Sequence, residues 1–261
     1  MLALFEALPA AVLIQEAHLD TSALAEARAL VHRHLPMYCL FSSRSAGSAS
    51  GMRIQTVTLV HAQLAARASV LDISKQCSDL DIRSAAPDVL CHAHFIRVID
   101  PRSEMSLLIG NCYQYQASQP ETRKQAALLT LAGSAIDRWL PQTDHVILGG
   151  DWNASVWQRI GYCGALQTVL ADERLLRWSE AAGLRCAAPE VPTWTSYNEQ
   201  RHAVLDCLFW KSRNDGAASV SAATAFSSPD PRHDHRGSAQ YCRWTALLQG
   251  HRARACGVRF V

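Results

Sequence analysis

Apolar positions fall into short blocks separated by turn-rich segments, and the blocks switch between two periods. Residues 10–15 (AAVLIQ) form a short buried strand that runs into Glu16, because four or more consecutive apolar residues with β-branched members suit a strand covered on both faces. Asp20 and Thr21 then offer an N-cap for a helix to about Leu35, with Leu24, Ala27, Leu30, Val31 and Leu35 on one face. Strands are expected at 37–41, 54–61, 89–98 and 106–113, with the loop SSRSAGSASG between the first two. Residues 119–140 make the longest helix candidate, with Ala126, Leu129, Ala132, Ile136, Trp139 and Leu140 as its apolar stripe. After it come the strand HVILGGDWN, a helix over 172–182, strands at 193–197, 203–210 and 218–226, and the loop SSPDPRHDHR. Residues 1–8 read as the end of a helix. Many strands and few long helices, without regular βαβ alternation, predict a single mixed α/β domain built on sheets.

Composition narrows the class. Hydrophobic residues make up 49% of the 261 and charged residues 18%, enough to bury a sizeable core and incompatible with a disordered tail. The formal charge is only +2, which excludes a histone-like polycation. Lysine occurs only at 75, 124 and 211, leaving 22 arginines, and residues 201–261 carry nine basic side chains against four acids. A basic C-terminal quarter suits a phosphate-bearing ligand. The nine cysteines are odd in number and contain no CxxC pair, which reads as reduced, buried thiols inside a cell and not as a disulfide framework or a zinc ribbon. Three HxH triplets occur, His32/His34, His92/His94 and His233/His235. The first two lack Cys or carboxylate partners at ligand spacing and read as structural or exposed, not as ligands. No apolar run is long enough to span a membrane. The apolar start lacks a basic leader and is broken by Glu6, Pro9 and Glu16, so it reads as fold and not as a signal peptide.

The chemistry concentrates where apolar strands end. Glu16 ends AVLIQE, Asn111 and Tyr113 end LLIGNCY, and Asp151 and Asn153 end VILGGDWN. Asp206 lies inside AVLDCLFW, and Asp234 and His235 lie in the Pro-rich loop. An acid within a strand as apolar as VLDCLFW is costly to bury unless it is paired or hydrogen-bonded. Strand ends on a rigid scaffold are where sites are built.

The ordered series QE at 15–16, NxY at 111–113, GGDWN at 149–153, LDCLF at 205–209 and DHR at 234–236 resembles the endonuclease/exonuclease/phosphatase superfamily. Within it the chain looks most like the endonuclease domain of non-LTR retrotransposons, related to apurinic/apyrimidinic endonucleases and deoxyribonuclease I. The likeness extends from about residue 8 to about residue 245. It implies a four-layered α/β sandwich, two packed mixed sheets with helices outside. It also implies Mg²⁺, with Mn²⁺ as the alternative, held by Glu16 and Asp234. Asp151 matches the residue that orients or deprotonates the attacking water, and Asn153 the amide that holds phosphate. Asp206 matches the carboxylate paired to a histidine, His235 that histidine, and Tyr113 a tyrosine contacting phosphate. Asn111, Arg232 and Arg236 are weaker candidates for substrate phosphate. The implied substrate is nucleic acid, double-stranded DNA first, nicked on one strand, which places the protein inside the cell and in the nucleus if it serves a retroelement.

Two departures from the pattern shape the expectations. The family opens with an inner strand carrying an asparagine ahead of the QE motif, whereas 15 residues without an Asn precede Glu16 here. The chain, one domain over 1–261, is therefore expected to be N-terminally truncated, with two neighbouring strands left unpaired. The usual GDFN has Trp152 in place of Phe, a packing change at a position expected to be buried. The readings that follow are a Mg²⁺-dependent DNA endonuclease, a phosphoesterase of the same fold acting on abasic DNA, RNA or inositol phosphates, and an inactive retroelement remnant.

Overall fold

The computed structural model describes residues 10–44, 53–71, 89–99, 105–115, 122–154, 173–187 and 206–213. Further strands are described at 167–168, 194–195, 201–203, 218–227, 240–248 and 256–260; there, and at residues 122 and 206, the description is of the backbone alone. The predicted helix end at 1–8 and the candidates Arg232, Asp234, His235 and Arg236 lie outside the described residues.

Strand β1 (Ala11–Ile14) is followed by helix α1 (Thr21–His34), then β2 (Tyr38–Ser42) and β3 (Val57–His61). Asp20 caps α1 as its position suggested, its Oδ1 accepting from Ala23 N at 2.8 Å. A short helix α2 (Ala62–Ala65) and strand β4 (Ala68–Val70), neither expected, lead on to β5 (Ala93–Ile99) and β6 (Ser106–Tyr113). The expected strand over 54–61 is shorter, because Ile54 makes only an isolated bridge with Leu19. That over 89–98 begins late, after one helical turn at 89–92. Helix α3 (Thr122–Trp139), β7 (His145–Asp151), β8 (Gln167–Thr168), helix α4 (Glu173–Ala181) and β9 (Arg185–Ala187) follow. The chain ends with β10 (Trp194–Thr195), β11 (Arg201–Ala203), β12 (Asp206–Ser212), β13 (Ala218–Ser227), β14 (Gln240–Leu248) and β15 (Cys256–Phe260).

Among the described residues, two six-stranded sheets carry the fold, ordered β13-β14-β15-β1-β3-β2 and β4-β5-β6-β7-β12-β9, beside a small sheet β10-β11-β8. Alternation along β1 divides its side chains between two cores. Ala11 and Leu13 join the main core with the second sheet, and Val12 packs toward α1 with Leu24, Tyr38 and Leu59. On the far side of the second sheet, α3 buries Leu128, Leu131, Ala132, Ala135 and Ile136, spaced i, i+3, i+4, i+7 and i+8. The layers are therefore helix, sheet, sheet, helix, the four-layered α/β sandwich expected. The helical faces differ in detail. Leu30 is exposed, since six residues from Leu24 is about 240° around the helix. In α3 the larger leucines at 128 and 131 take the core and leave Ala126 outside. No described helix is long and apolar enough to cross a membrane.

The expected gap beside β1 is filled. Strand β15 runs parallel to β1, pairing Ala11 with Val258 and Leu13 with Phe260, and antiparallel to β14 on its other side. The C-terminal strand thus takes an interior place in the first sheet and gives both neighbours a partner, which corrects the expectation of two unpaired edges. Because β15 has a neighbour on each side, the N–H of Val258 serves the ladder whichever way it points. Val258→Pro is expected to cost about 3 kcal/mol or more, read as a lowered urea midpoint. An unchanged midpoint would mean that β15 contributes nothing to the sheet.

Candidate active site

Register gathers the site before any side chain is considered. Strands β6 and β7 are parallel with Tyr113 opposite Asp151, and β7 and β12 are antiparallel with Asp206 opposite Asp151. Tyr113, Asp151 and Asp206, 93 positions apart at the extremes of the sequence, therefore stand in one row across three neighbouring strands. Glu16 enters from the other sheet, just past the end of β1, and accepts the Tyr113 hydroxyl hydrogen bond at 2.6 Å. That is the short distance expected when the acceptor is ionised.

Backbone geometry aims these groups. Glu16 has φ 51°, His18 φ 48° and Asn153 φ 44°, left-handed values uncommon outside glycine. Asn153 is held there by its own N–H, which donates to Asp151 Oδ1 at 2.8 Å, and by its Nδ2, which donates to the Gln114 carbonyl at 2.6 Å. Trp152 between them is fully buried as expected. It donates from Nε1 to the Cys207 carbonyl at 3.1 Å and meets the Phe209 ring edge-on at 5.1 Å. One residue of GGDWN thus anchors the turn in the core while its two polar neighbours face the site.

Two carboxylates brought together in a half-dry place repel. Burial pushes the Asp151 carboxyl up to about 6, with the nearby Glu16 charge adding to the rise and the Asn153 N–H bond opposing it. Burial, the hydrogen bond to Glu16 and the charges of Glu16 and Asp151 likewise push the Tyr113 phenol above its ordinary range, against a lowering contribution from the Asn153 side chain. Tyr113 therefore stays protonated and acts as a donor. Hard oxygen donors whose mutual repulsion a cation would relieve suit a divalent ion such as Mg²⁺, which commonly takes one or two carboxylates and keeps several waters. Glu16 and Asp151 fit that description. Among the described residues, however, no three His, Cys, Asp or Glu side chains gather as a metal cluster. Asp234, the other expected metal acid, is outside them.

Asn111 requires a correction. It was expected to contact substrate phosphate, yet it is fully buried between the sheets. Its Oδ1 accepts from Gln15 Nε2 at 2.7 Å. Its Nδ2 lies 2.9 Å from the Val57 carbonyl, 3.2 Å from Thr58 Oγ1 and 3.3 Å from the Ile14 carbonyl. The amide is satisfied inside the protein and has no path to a phosphate. Sequence reasoning also passed over two supports of the site. Gln114 supplies the carbonyl that holds Asn153. His92 stacks on Tyr113 at 5.3 Å with rings 4° from parallel, and its Nδ1 lies 2.9 Å from the Tyr113 carbonyl. The HxH spacing was the only signal of His92. Its companion His94 is buried at 3.0 Å from Thr56 Oγ1, and burial lowers it to about 3. It is a neutral core histidine and not a ligand.

No family model and no curated protein matches the sequence. Solved structures do match. The catalytic domain of Xenopus laevis APE2 superposes with a TM-score of 0.61 at 14% identity, covering 98% of this chain and 87% of that one. An AP endonuclease from Archaeoglobus fulgidus gives 0.54 at 13%, over 95% and 92%. The chain has the deoxyribonuclease I-like fold. The endonuclease domain of TRAS1, a telomere-specific non-LTR retrotransposon, shares this fold at a TM-score of 0.53 and 13% identity, over 94% of this chain and all of that one. At such identities the deoxyribonuclease I-like likeness concerns architecture, and the chemistry rests on the residues themselves.

Proposed function

We propose that this chain is a metal-dependent phosphodiesterase that nicks one strand of DNA. The observation that carries the reading is the row Tyr113–Asp151–Asp206 across β6, β7 and β12, met from the opposite sheet by Glu16. Those groups supply what phosphodiester hydrolysis needs. Asp151, in the same row as Tyr113 and beside Glu16, is assigned to take a proton from the attacking water. The second N–H of the Asn153 amide is the donor this reading assigns to a phosphate oxygen. The Tyr113 hydroxyl, kept protonated, donates beside Glu16. A divalent cation, when held by Glu16 with Asp234 as the further candidate, supplies charge neutralisation for phosphate oxygens. Asp206 is assigned to orient His235, which then donates to the phosphate, with Arg232 and Arg236 as flanking cations. The basic C-terminal quarter and the likeness to the TRAS1 domain support DNA as substrate.

The decisive experiment is relaxation of supercoiled plasmid with Mg²⁺ and with EDTA, alongside a His235→Ala variant. Mg²⁺-dependent conversion to the nicked circle, lost in the variant, is the expected result. A folded chain that leaves plasmid intact overturns the reading. The likeness to the Archaeoglobus fulgidus AP endonuclease favours one second substrate, so an abasic duplex is assayed in parallel, with poly(A) and inositol phosphates as further arms.

A further inference from the structure

The residue before Glu16 and the one after it are both tied down, and the side-chain bonds on the near side run to a single buried amide. Glu16 lies in a left-handed conformation that a residue with a β-carbon adopts at a cost in strain. Such a conformation persists only where its surroundings over-determine it. On the C-terminal side, Ala17 N donates to the Gln55 carbonyl at 3.0 Å, and Leu19 and Ile54 exchange backbone bonds at 3.0 and 2.8 Å. On the N-terminal side Ile14 is paired with Val57 in the β1–β3 ladder, and the side-chain fastenings run to Asn111: the Gln15 side chain donates to its Oδ1, and the Ile14 carbonyl lies 3.3 Å from its Nδ2, whose two hydrogens it shares with acceptors on β3. Asn111 belongs to β6 in the second sheet, so these bonds cross the sandwich. The same amide grips β3 through the Val57 carbonyl and Thr58 Oγ1.

Two residues further along β6, Tyr113 emerges on the same face and holds the Glu16 carboxylate itself. One strand therefore fixes Glu16 twice, Asn111 by the backbone leading into it and Tyr113 by its charged end. An apolar side chain would fill the space of Asn111 without the desolvation cost of a fully buried amide. The amide adds a fixed direction of chain exit from β1. We propose that Asn111 is the positioning residue of Glu16, holding the strained exit from β1 so that the Glu16 carboxylate stands beside Asp151 before any cation arrives. Resting on the metal-dependent reading above, this gives a role to a fully buried amide between the sheets. A donor placed in advance need not be ordered at the moment of binding.

The test compares cation affinity with stability. Mg²⁺ is titrated into the full chain while the melting temperature is followed, since an ion that binds only the folded state raises it. The variants are Asn111→Ser, Gln15→Met, which leaves Asn111 in place and removes one bond to it, and Ile96→Val, a small core cavity in β5 as a stability control. Asn111→Ser is expected to raise the half-saturating Mg²⁺ concentration about tenfold or more, and Gln15→Met to raise it by a smaller factor. Ile96→Val is expected to lower the melting temperature and leave half-saturation within about twofold. In plasmid nicking the loss in Asn111→Ser is expected to be recovered largely by excess Mg²⁺. Half-saturation unmoved in both Asn111→Ser and Gln15→Met, with Mg²⁺ still stabilising the wild-type chain, overturns the positioning role alone. If Asn111→Ser does not fold, Gln15→Met decides by the same criterion. No response to Mg²⁺ in the wild-type chain overturns the metal reading and this proposal with it.

Discussion

Asp151→Asn is expected to slow DNA cleavage by about 10²- to 10⁴-fold and, in the same molecule, to stabilise the metal-free fold at pH 8. The second effect follows from the burial of Asp151 and the Glu16 charge beside it. In the folded chain burial and the Glu16 charge let Asp151 keep its proton up to about pH 6, whereas in an unfolded chain an aspartate releases it near pH 3.9. Between those values the folded state binds more protons than the unfolded one, so stability falls as pH rises through the window. Above about pH 7 the penalty is complete, about 2–3 kcal/mol at 1.4 kcal/mol per unit. An asparagine carries no charge, and its Oδ1 can still accept from the Asn153 N–H. In EDTA at pH 8 the variant should therefore melt about 5 °C higher than wild type, and the gap should close toward pH 4. Saturating Mg²⁺ should narrow it as well, because the cation relieves the same repulsion. A variant that melts lower at both pH values would show that Asp151 serves the fold, and the stability cost ascribed to the paired carboxylates would be wrong.

Gly150→Ala is expected to prevent folding or to cost more than about 4 kcal/mol. Gly150 has φ +156°, and a Cβ there would sit 1.7 Å from the Cys112 carbonyl oxygen and 2.7 Å from its carbon. Those atoms are backbone of β6, in register with Gly150, and no side-chain rotation removes the clash. Relief requires β6 and β7 to part, which would pull Tyr113 away from Asp151 next in the row. Gly133→Ala is the contrast. Its Cβ in α3 would meet only the Trp178 Nε1 at an ordinary 3.5 Å, so the better helix propensity of alanine should raise stability by about 0.5–1 kcal/mol. Urea midpoints of the two variants measure both. A Gly150→Ala chain that folds within about 1 kcal/mol of wild type would mean that β6 and β7 are not packed at this distance.

The second glycine of GGDWN was visible in the sequence as part of a motif, and its reason was not. Glycine in a strand signals a bulge or a close approach, but which strand comes close depends on pairing. The same boundary separates what was legible from what was not throughout the chain. Local signals with a local cause were read correctly: the Asp20 cap, the apolar run into Glu16, the buried Trp152 between two outward polar residues. Asn111 was misplaced because β6 is buried along nearly its whole length. A strand covered on both faces loses the alternation that would tell an inward position from an outward one.

The sequence by itself determined the mixed α/β class, the strand and helix candidates and the set of polar residues at strand ends, because each follows from hydrophobic period, capping and turn chemistry within a few residues. The tertiary structure alone decided that β15 lies between β14 and β1, that Tyr113, Asp151 and Asp206 share one row, and that Asn111 faces the opposite sheet beneath Glu16. Those facts come from pairings between residues tens to hundreds of positions apart. Such pairings are selected by competition among whole sheets for burial and hydrogen bonds, and no window along the chain contains both partners.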